Sequence, residues 1–406
     1  MIEAIRQLYR SKNINKIVYV LLDKGANFNQ YHIAGEWLSA ACKACGIAFE
    51  IFHVRDSYSL RQLLSESYDQ SSLILLNVWL YDLRFNFFSD PTSGTIDIFG
   101  ESRNILATIP DHPFATFMYS RVVAASKGVR YFMTDRSNLN CFSEIAQFNP
   151  VHQFIDAIPL PYVDITQLPQ LRNRPIDVFV PSNAGHLIEE PNLMLPFDLS
   201  DCLKEAAGLD PYLSQENSVK MFRRALSERT SIEISVLRRE HADLHHACFN
   251  ALGIADQNWR HRFRIRELNQ LAQSNPDLNF VVAGSPNENI QRENIKFVGF
   301  LPFDKTCNFI ANSKAILHLH PTYFDGLHDR PLLAPAFGTP VLTRKMRWTK
   351  LLNVTNLIGE YSDTTEFRQV YEDLLDSIEF KGRETSVVEN FIHHGPIKFL
   401  SSLVSS

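Results

Sequence analysis

The chain has 406 residues, of which 45% are hydrophobic and 21% are charged, and its formal net charge is -5 at pH 7. This hydrophobic content excludes a disordered chain, and the length predicts two domains because a single hydrophobic core seldom grows so large. The small negative charge gives no general attraction to nucleic acid or anionic membrane, so no nucleic-acid partner is expected and any basic partner surface must be local.

The sequence contains no segment that predicts export or membrane insertion. Its first residues, MIEAIRQLYRSKNINK, lack an apolar run, so no secretory signal is expected. The longest apolar stretches, such as IVYVLL and LILLNVWL, have the length of strands and not of membrane-spanning helices. The six cysteines are mostly scattered, which fits a reducing compartment. We therefore predict a cytoplasmic protein without a transmembrane segment, and peripheral membrane contact stays open.

One cysteine pair, Cys42 and Cys45, has the C-x-x-C spacing of redox and zinc motifs. It lies at the end of a predicted helix, just before Gly46, where the helix dipole disfavours a thiolate. No second pair exists to complete a zinc site. The pair is therefore interpreted as structural.

Strands and helices alternate along the first 160 residues. The predicted strands are Lys16–Asp23, Phe49–Val54, Leu73–Trp79, Ile105–Ile109 and Val129–Met133, and the predicted helices are Tyr31–Cys45 and Leu60–Tyr68. Alternation of this kind, with apolar strands, predicts a parallel sheet covered by helices. We place a Rossmann-like domain at residues 1–165.

A proline-rich stretch from Ile158 to Pro175 is the best candidate for a linker. Beyond it the alternation begins again, which places a second Rossmann-like domain, with a helical insertion, at residues 175–385. Residues 386–406 are expected to form a C-terminal segment that packs back on the first domain. The fold class is therefore α/β, with two doubly wound domains facing across a cleft and ligands at the carboxyl ends of the strands.

The stretch from Lys314 to Arg344 carries the strongest signal for a ligand site. It predicts a buried strand, a polar loop, a short helix and a second strand. Asp329 is the expected N-cap of the helix, and Gly338 is expected to end it with a left-handed backbone. A loop that leads into a helix N-terminus at the end of a parallel strand is an anion site. We therefore predict that a phosphorylated ligand is bound by His320, Asp325, Gly326, His328 and Arg330.

Several motifs do not occur, and their absence narrows the chemistry. The chain has no Walker A loop, no G-x-G-x-x-G and no G-x-S-x-G. It also has no D-x-D pair, so a bound nucleoside diphosphate would be neutralised by helix N-termini and arginine or lysine. A metal at His318 and His320, or at His241, His245 and His246, is less favoured than structural or solvated histidines. We therefore expect no metal and no cofactor.

The sequence FVVAG, followed by IKFVGFLPFDKTCNFIANSKAILHLHPTYFDGLHDRPLLAPAFGTPVLT, resembles the C-terminal domain of GT-B glycosyltransferases of the group 1 type. Their motif E-G-x-G-x4-E-A-x-A-x-G-x-P-V aligns without a gap from Asp325 to Val341. The Asp-Arg-Pro before the helix is similar to the spore-maturation (CgeB-like) branch. The resemblance implies transfer of a sugar from a nucleotide-sugar donor to a glycan, lipid-linked or protein acceptor. The donor is then a substrate, and no cofactor is needed.

Both glutamate positions of that motif carry other residues in this chain. The first glutamate of the family is Asp325 in this chain, and the second is Leu333. Because the second glutamate typically receives ribose or sugar hydroxyls, its loss motivates one alternative, a non-catalytic protein that binds nucleotide sugars or serves in assembly. The other alternative is a non-hydrolysing nucleotide-sugar epimerase, an enzyme class that shares the architecture.

Further candidates for the donor site lie around the predicted strand ends of the second domain. A loop after its first strand could offer backbone N–H groups to phosphate. A basic run, Arg260–Arg266, is predicted to open the helix before FVVAG, and two of its arginines share a face. These additional donor-site candidates are Ser182, Asn183, Gly185, Arg260, Arg264, Gly338 and Thr339.

Two segments of the first domain are candidates for acceptor binding and catalysis. The loop after the first strand, with Lys24, Gly25 and Asn27, together with His32 on the following helix, is a candidate for acceptor or phosphate contact, although an ordinary turn is an equal alternative. His112, beside Asp111, is the candidate general base. A buried structural histidine is the competing interpretation.

Overall fold

The computed structural model describes residues 2–22, 30–55, 71–76, 104–109, 129–145, 152–155, 157–182, 185, 187–188, 195–209, 216–319, 326, 328–351, 355–381 and 383–404. By their contacts these residues form two compact units. The chain passes from the first unit to the second between Tyr162 and Val163, inside the proline-rich stretch, and returns at Phe391.

The first unit is built on one parallel sheet with strand order β2-β1-β3-β4-β5-β6. Its strands are β1 (Lys16–Leu22), β2 (Ala48–Val54), β3 (Ser72–Leu76), β4 (Asn104–Ile109), β5 (Val129–Met133) and β6 (His152–Phe154). Its helices before the linker are, among the described residues, α1 (Ile2–Ser11), α2 (Gln30–Cys45) and α3 (Arg136–Ile145). The central strands are buried on both faces, which is why their sequences are continuous apolar runs.

The second unit contains a second parallel sheet with strand order β12-β11-β10-β7-β8-β9. Its strands are β7 (Ile176–Val180), β8 (Phe280–Val282), β9 (Ile295–Phe297), β10 (Ser313–His318), β11 (Val341–Arg344) and β12 (Ile358–Tyr361). Its described helices are α4 (Phe197–Gly208), α5 (Ser218–Thr230), α6 (Ile234–Glu240), α7 (Ala242–Ser274), α8 (Phe303–Ala311), α9 (Asp329–Ala336) and α10 (Phe367–Lys381). Short 3-10 turns lie at Ile165–Gln167, Leu171–Asn173, Arg347–Leu351 and Thr355–Leu357.

The chain ends in two helices, α11 (Arg383–His394) and α12 (Pro396–Val404), which are interrupted at Gly395 and Pro396. Helix α12 packs on α1 and α2 within the first unit, and Phe399, Leu400 and Leu403 join the core there. The hydroxyl of Tyr9 on α1 donates a hydrogen bond to the carbonyl of Leu400 over 3.1 Å. The end of the chain is thus part of the first unit's core.

Two parallel sheets, each with helices on it, confirm the predicted α/β class with two Rossmann-like units. The sequence patterns missed α1, α3, β6 and β12. Helix α1 buries only two apolar side chains, Ile5 and Tyr9, so its periodic signal is short. No helix in the described part of the chain combines the length and the apolar character needed to cross a membrane.

Both cysteines of the C-x-x-C pair are buried at the end of α2. Burial raises the pKa of the Cys42 thiol and that of the Cys45 thiol. Gly46 follows with a left-handed φ of 67°, so the helix ends where the sequence predicts. Buried thiols with raised pKa values carry little thiolate, which fits a structural role.

His245 on α7 is buried, and its ring lies 4.5 Å from the ring of Phe249. Burial, and next the nearby charge of Arg238, lower the pKa of His245 to about 4. The unfolded chain therefore takes up a proton at this residue near pH 6.5, whereas the folded chain takes it up only near pH 4. The stability contribution of a neutral His245 is present above pH 6.5 and declines as the pH falls toward 4.

We expect the His245→Gln variant to lose less stability on acidification than the unaltered protein. When the pH is lowered from 7.5 to 5, the free energy of unfolding of the variant should fall by about 2 kcal/mol less than that of the unaltered protein. Urea denaturation at the two pH values measures this difference. His246→Gln is the matched control, because His246 is the exposed neighbour on the same helix. Identical pH dependence in the unaltered protein and His245→Gln would contradict the assignment.

Candidate functional site

The strand order of the second sheet locates a crevice for a ligand. From β7 the chain builds the sheet outward through β8 and β9, and then returns to place β10 on the opposite side of β7. In open parallel sheets, ligands bind at such a switch point, beyond the carboxyl ends of the two strands. We call the edge marked by Val180 and His318 the carboxyl edge, and the edge marked by Ile176 and Ser313 the amino edge.

Two predicted donor residues, Ser182 and Arg330, meet at this switch point. Ser182 follows β7, and Arg330 lies in the first turn of α9, which follows β10. The Arg330 guanidinium donates a hydrogen bond from Nη1 to Ser182 Oγ over 3.4 Å. Among the described residues, no carboxylate forms an ion pair with Arg330. A half-buried cation of this kind at a helix N-terminus suits an anionic ligand.

The start of α9 differs from the prediction by one residue. His328 is the N-cap, and its Nδ1 accepts the backbone N–H of Arg330 over 3.4 Å. Asp329, the predicted N-cap, is the first helical residue, and its carboxylate contacts the His328 imidazole. Gly326, two residues before His328, is buried. The N-cap is therefore one residue earlier than predicted, and the helix N-terminus lies at the predicted place.

His318, the last residue of β10, lies beneath this helix start. It is buried, its ring centroid lies 5.4 Å from that of His328, and its ring meets Trp348 edge-on at 5.5 Å. Burial, and next the charges of His328 and Arg330, hold the pKa of His318 well below its usual value. The His318 imidazole is therefore neutral near pH 7 and adds no positive charge to the site.

Gly185 is the second described donor candidate in the loop after β7. Its φ of 73° is left-handed, and an added Cβ would come within 2.3 Å of His261 Nε2 on α7. Only glycine fits both conditions. Asn287 also holds this residue, since its Nδ2 donates to the Gly185 carbonyl over 2.6 Å. Gly185 is thus held against α7 and the segment after β8.

The arginines predicted to open a helix lie in the second half of α7, a helix of 33 residues that begins at Ala242. Arg260 and Arg264 are buried, whereas Arg262 and Arg266 are exposed. Arg260 pairs with the buried Asp256 one turn earlier, over 3.1 Å. Arg264 donates from Nε to the carbonyl of Leu319, directly after β10, over 2.9 Å. Arg264 therefore reaches the carboxyl edge, and the charge of Arg260 is balanced within its own helix.

Gly338 and Thr339, which are also predicted donor residues, lie beyond the other end of α9. Gly338 has the predicted left-handed φ, 59°, but α9 runs from the carboxyl edge to the amino edge. Eight helical residues span about 12 Å. The Thr339 hydroxyl accepts a hydrogen bond from the buried Arg174 over 2.6 Å and lies 2.9 Å from the Ile310 carbonyl. Both residues shape the end of α9, at the amino edge.

Leu333 occupies the position where the resembled motif has its second glutamate. It lies in α9, only 2% of its surface is exposed, and its neighbours Leu332 and Ala334 are also buried. The side chain therefore belongs to the core of the second unit. Sequence alone could show the replacement but not the burial.

In the first sheet the switch point lies between β1 and β3. The loop after β1 is the predicted acceptor loop, and His32 lies in the first turn of the next helix, α2. His32 Nε2 is 3.5 Å from Glu36 Oε1, and its ring is 6.0 Å from that of His53. Strand β4, which comes before His112 in the sequence, is separated from this switch point by β3. The predicted residues Lys24, Gly25, Asn27, Asp111, His112, Asn183, His320 and Asp325 lie outside the described residues.

Within the described ranges, no three His, Cys, Asp or Glu side chains cluster as metal ligands. His245 is buried against Phe249, while His241 and His246 are exposed, so the helical histidines do not converge. The site at the switch point, defined by Ser182, Gly185, Arg264, His318, His328 and Arg330, is rich in cations and imidazoles. Its chemistry fits an anion.

Comparison with known proteins adds two findings. Residues 260–383 match the profile of a family described as Glycosyl transferase-like. No curated protein matches the sequence. A solved structure of an alpha-glucosyltransferase in complex with UDP-glucose and DNA containing an abasic site is similar, with 9% identity and a TM-score of 0.50, and the alignment covers 96% of this chain and 99% of that chain.

Two further glycosyltransferase structures align with lower TM-scores. AviGT4, involved in Avilamycin A biosynthesis, is 10% identical, with a TM-score of 0.45 and coverage of 96% and 98%. WaaG, involved in lipopolysaccharide biosynthesis, is 11% identical, with a TM-score of 0.45 and coverage of 96% and 100%. At such identities the likeness concerns the fold alone. The chain has the two-unit α/β fold of the GT-B glycosyltransferases, and its residues 260–383 match the model of a glycosyl transferase-like family.

Proposed function

We propose that this protein is a glycosyltransferase that moves a sugar from a nucleotide-sugar donor to a glycan, lipid-linked or protein acceptor, without a metal ion. The observation that carries the proposal is the Arg330 guanidinium beside Ser182 at the switch point. Arg330 belongs to the segment that matches the glycosyl transferase-like family. A nucleoside diphosphate brings the negative charge that this arginine and the α9 N-terminus can receive.

The donor diphosphate would bind with its oxygens toward Arg330, Ser182 and the backbone N–H groups at the start of α9. Arg264 adds a second guanidinium, held at the end of β10 by its bond to the Leu319 carbonyl. Two arginines can neutralise the charge that other enzymes balance with a magnesium ion between carboxylates. The absence of a D-x-D pair from the sequence motivates this part of the proposal.

Recognition of the donor's hydroxyl groups would fall to residues other than Leu333, because that side chain is buried and apolar. Asp325 is the carboxylate that the family resemblance offers for the donor site. For catalysis we keep His112, with Asp111, as the proposed general base toward the acceptor. His32 is the alternative, since it lies beside the switch point of the first sheet.

Arg330→Ala is expected to weaken the binding of a nucleoside diphosphate by about 1.5–3 kcal/mol, the contribution of a hydrogen bond to a charged group. Titration calorimetry with UDP, GDP, ADP, CDP and dTDP identifies the best ligand and then measures the change. Binding to the unaltered protein should persist in EDTA.

Arg262→Ala is the matched control, because Arg262 is an exposed arginine on the side of α7 opposite Arg264. Its affinity should equal that of the unaltered protein. Equal affinities of Arg330→Ala and Arg262→Ala would remove Arg330 from the site. Loss of binding in EDTA would contradict metal independence. Transfer of labelled sugar to an acceptor, rather than release of an epimer, would separate a glycosyltransferase from an epimerase.

A further inference from the structure

Helix α7 buries polar side chains along the half that approaches the second sheet. The buried polar residues of this stretch are Asp256, Asn258, Arg260, Arg264 and Glu267. A buried polar group is more informative than a buried apolar one, because it costs free energy unless it is paired. Asparagine is also a poor residue inside a helix. The contacts of these side chains therefore show what the helix does.

Two of these side chains hold the carboxyl ends of neighbouring strands. Arg264 donates to the carbonyl of Leu319, at the end of β10. Glu267 forms two hydrogen bonds with Arg344, the last residue of β11, over 2.8 and 2.9 Å. A two-point pair of this kind fixes orientation as well as distance. Helix α7 is thus tied to the carboxyl edge at two strands.

Asn258 makes the corresponding contact with the loop after β7. Its Oδ1 accepts the backbone N–H of Ile188 over 2.7 Å, and its Nδ2 donates to the carbonyl of the same residue over 2.8 Å. Only 2% of the Asn258 surface is exposed, so water does not compete for these bonds. Both polar ends of one amide are therefore used to hold a single loop residue.

A second residue of this loop is also held. His261, one turn further along α7, packs against Gly185, and Asn287 donates to the Gly185 carbonyl. Ser182, at the start of the loop, is the residue that meets Arg330. Gly185 and Ile188, which follow Ser182 in this loop, are therefore both held against α7.

We propose that Asn258 is a positioning residue for the donor diphosphate, which keeps the loop after β7 against α7 and Ser182 opposite Arg330. This inference rests on the function proposed above. Asn258 does not itself touch the ligand. Asn258 keeps the loop in place in the free protein. The binding free energy is then not reduced by the cost of ordering the loop.

Asn258→Ala removes both hydrogen bonds to Ile188 and gives the loop more freedom. We expect the dissociation constant for the nucleoside diphosphate that binds best among UDP, GDP, ADP, CDP and dTDP to rise about 10- to 100-fold, as is common when a supporting residue of a site is lost. Hydrogen exchange, followed by mass spectrometry, should become faster in the peptide that contains Ile188.

Asn294→Ala is the matched control on the same sheet. The Asn294 amide donates to the carbonyls of Ala272, Asn275 and Leu278, all near the amino edge. Its removal should lower stability and leave nucleotide affinity unchanged, so a general loss of stability cannot imitate the effect at Asn258. If Asn258→Ala does not fold, Asn258→Asp serves instead, because it keeps the bond from the Ile188 N–H and loses the donor.

The outcomes separate the two proposals. Unchanged affinity in a folded Asn258 variant, with binding by the unaltered protein, would overturn the role of Asn258 alone. The same fold-change in the Asn258 and Asn294 variants would also overturn it. No binding of any of the five nucleotides by the unaltered protein would overturn the proposed function, and the positioning role with it.

Discussion

Arg174→Ala is expected to lower the free energy of unfolding by about 3–5 kcal/mol, although Arg174 lies far from the carboxyl edge. Its guanidinium is 2% exposed and donates hydrogen bonds to the Ser313 and Phe337 carbonyls and to Thr339 Oγ1, over 2.6–3.1 Å. A longer bond of 3.4 Å reaches the Pro169 carbonyl. Alanine would leave these buried acceptors without their donor, which is the costly case for a hydrogen bond.

Urea denaturation measures this loss, and Arg172→Ala provides the control. Arg172 is an exposed arginine in the same segment that pairs with Glu372 and Asp376 on α10. Exposed ion pairs contribute about 0–1 kcal/mol, so this variant should stay close to the unaltered protein. If both variants lose less than about 1 kcal/mol, the buried hydrogen bonds of Arg174 do not stabilise the protein as expected.

Leu333→Glu, which restores the glutamate of the resembled motif, is expected to destabilise the protein by about 3–5 kcal/mol at pH 7. Leu333 is 2% exposed in the core side of α9, and the substitution would place a carboxyl group there. Burial favours the neutral acid, so the pKa of this carboxyl would rise in the folded state. The charge-related loss is therefore small near pH 4 and grows as the pH rises.

Leu333→Gln separates the effect of charge from that of shape. Glutamine has nearly the same size and no titratable group, so its loss of stability should not grow with pH. Denaturation of both variants at pH 4.5 and pH 7 tests the difference. A Leu333→Glu protein that is as stable as Leu333→Gln at pH 7, or that binds nucleotide sugars more tightly than the unaltered protein, would contradict the buried position.

The two substitutions also bear on how the site is built. Arg174 donates to the carbonyl of Phe337, the C-cap of α9 at the amino edge, and Arg330 lies at the other end of the same helix. Thr339 has a structural role at the amino edge even though it stands in the most recognisable part of the motif. A motif that spans a strand, a helix and the next strand therefore mixes ligand-facing and core residues.

The sequence by itself determined the fold class and the central strands of both sheets. Apolar runs such as Lys16–Leu22 and Ser72–Leu76 are buried on both faces, and helix ends at Gly46 and Gly338 lie where glycine predicts them. These features are local, because they depend on side-chain periodicity and on the backbone freedom of single residues. The proposed anion site at the start of α9 could be inferred for the same reason, since strand, loop and helix are contiguous in the sequence.

The tertiary structure decided which distant residues share the site. Ser182 and Arg330 are separated by 148 positions, and they meet only because β10 pairs with β7 at the switch point. The buried state of Arg174, Asn258 and Leu333 follows from long-range packing, and no local pattern distinguishes these residues from exposed arginines, asparagines and leucines. Periodicity fixes the elements of a chain, but strand order fixes the neighbours, and the chemistry of this site depends on neighbours.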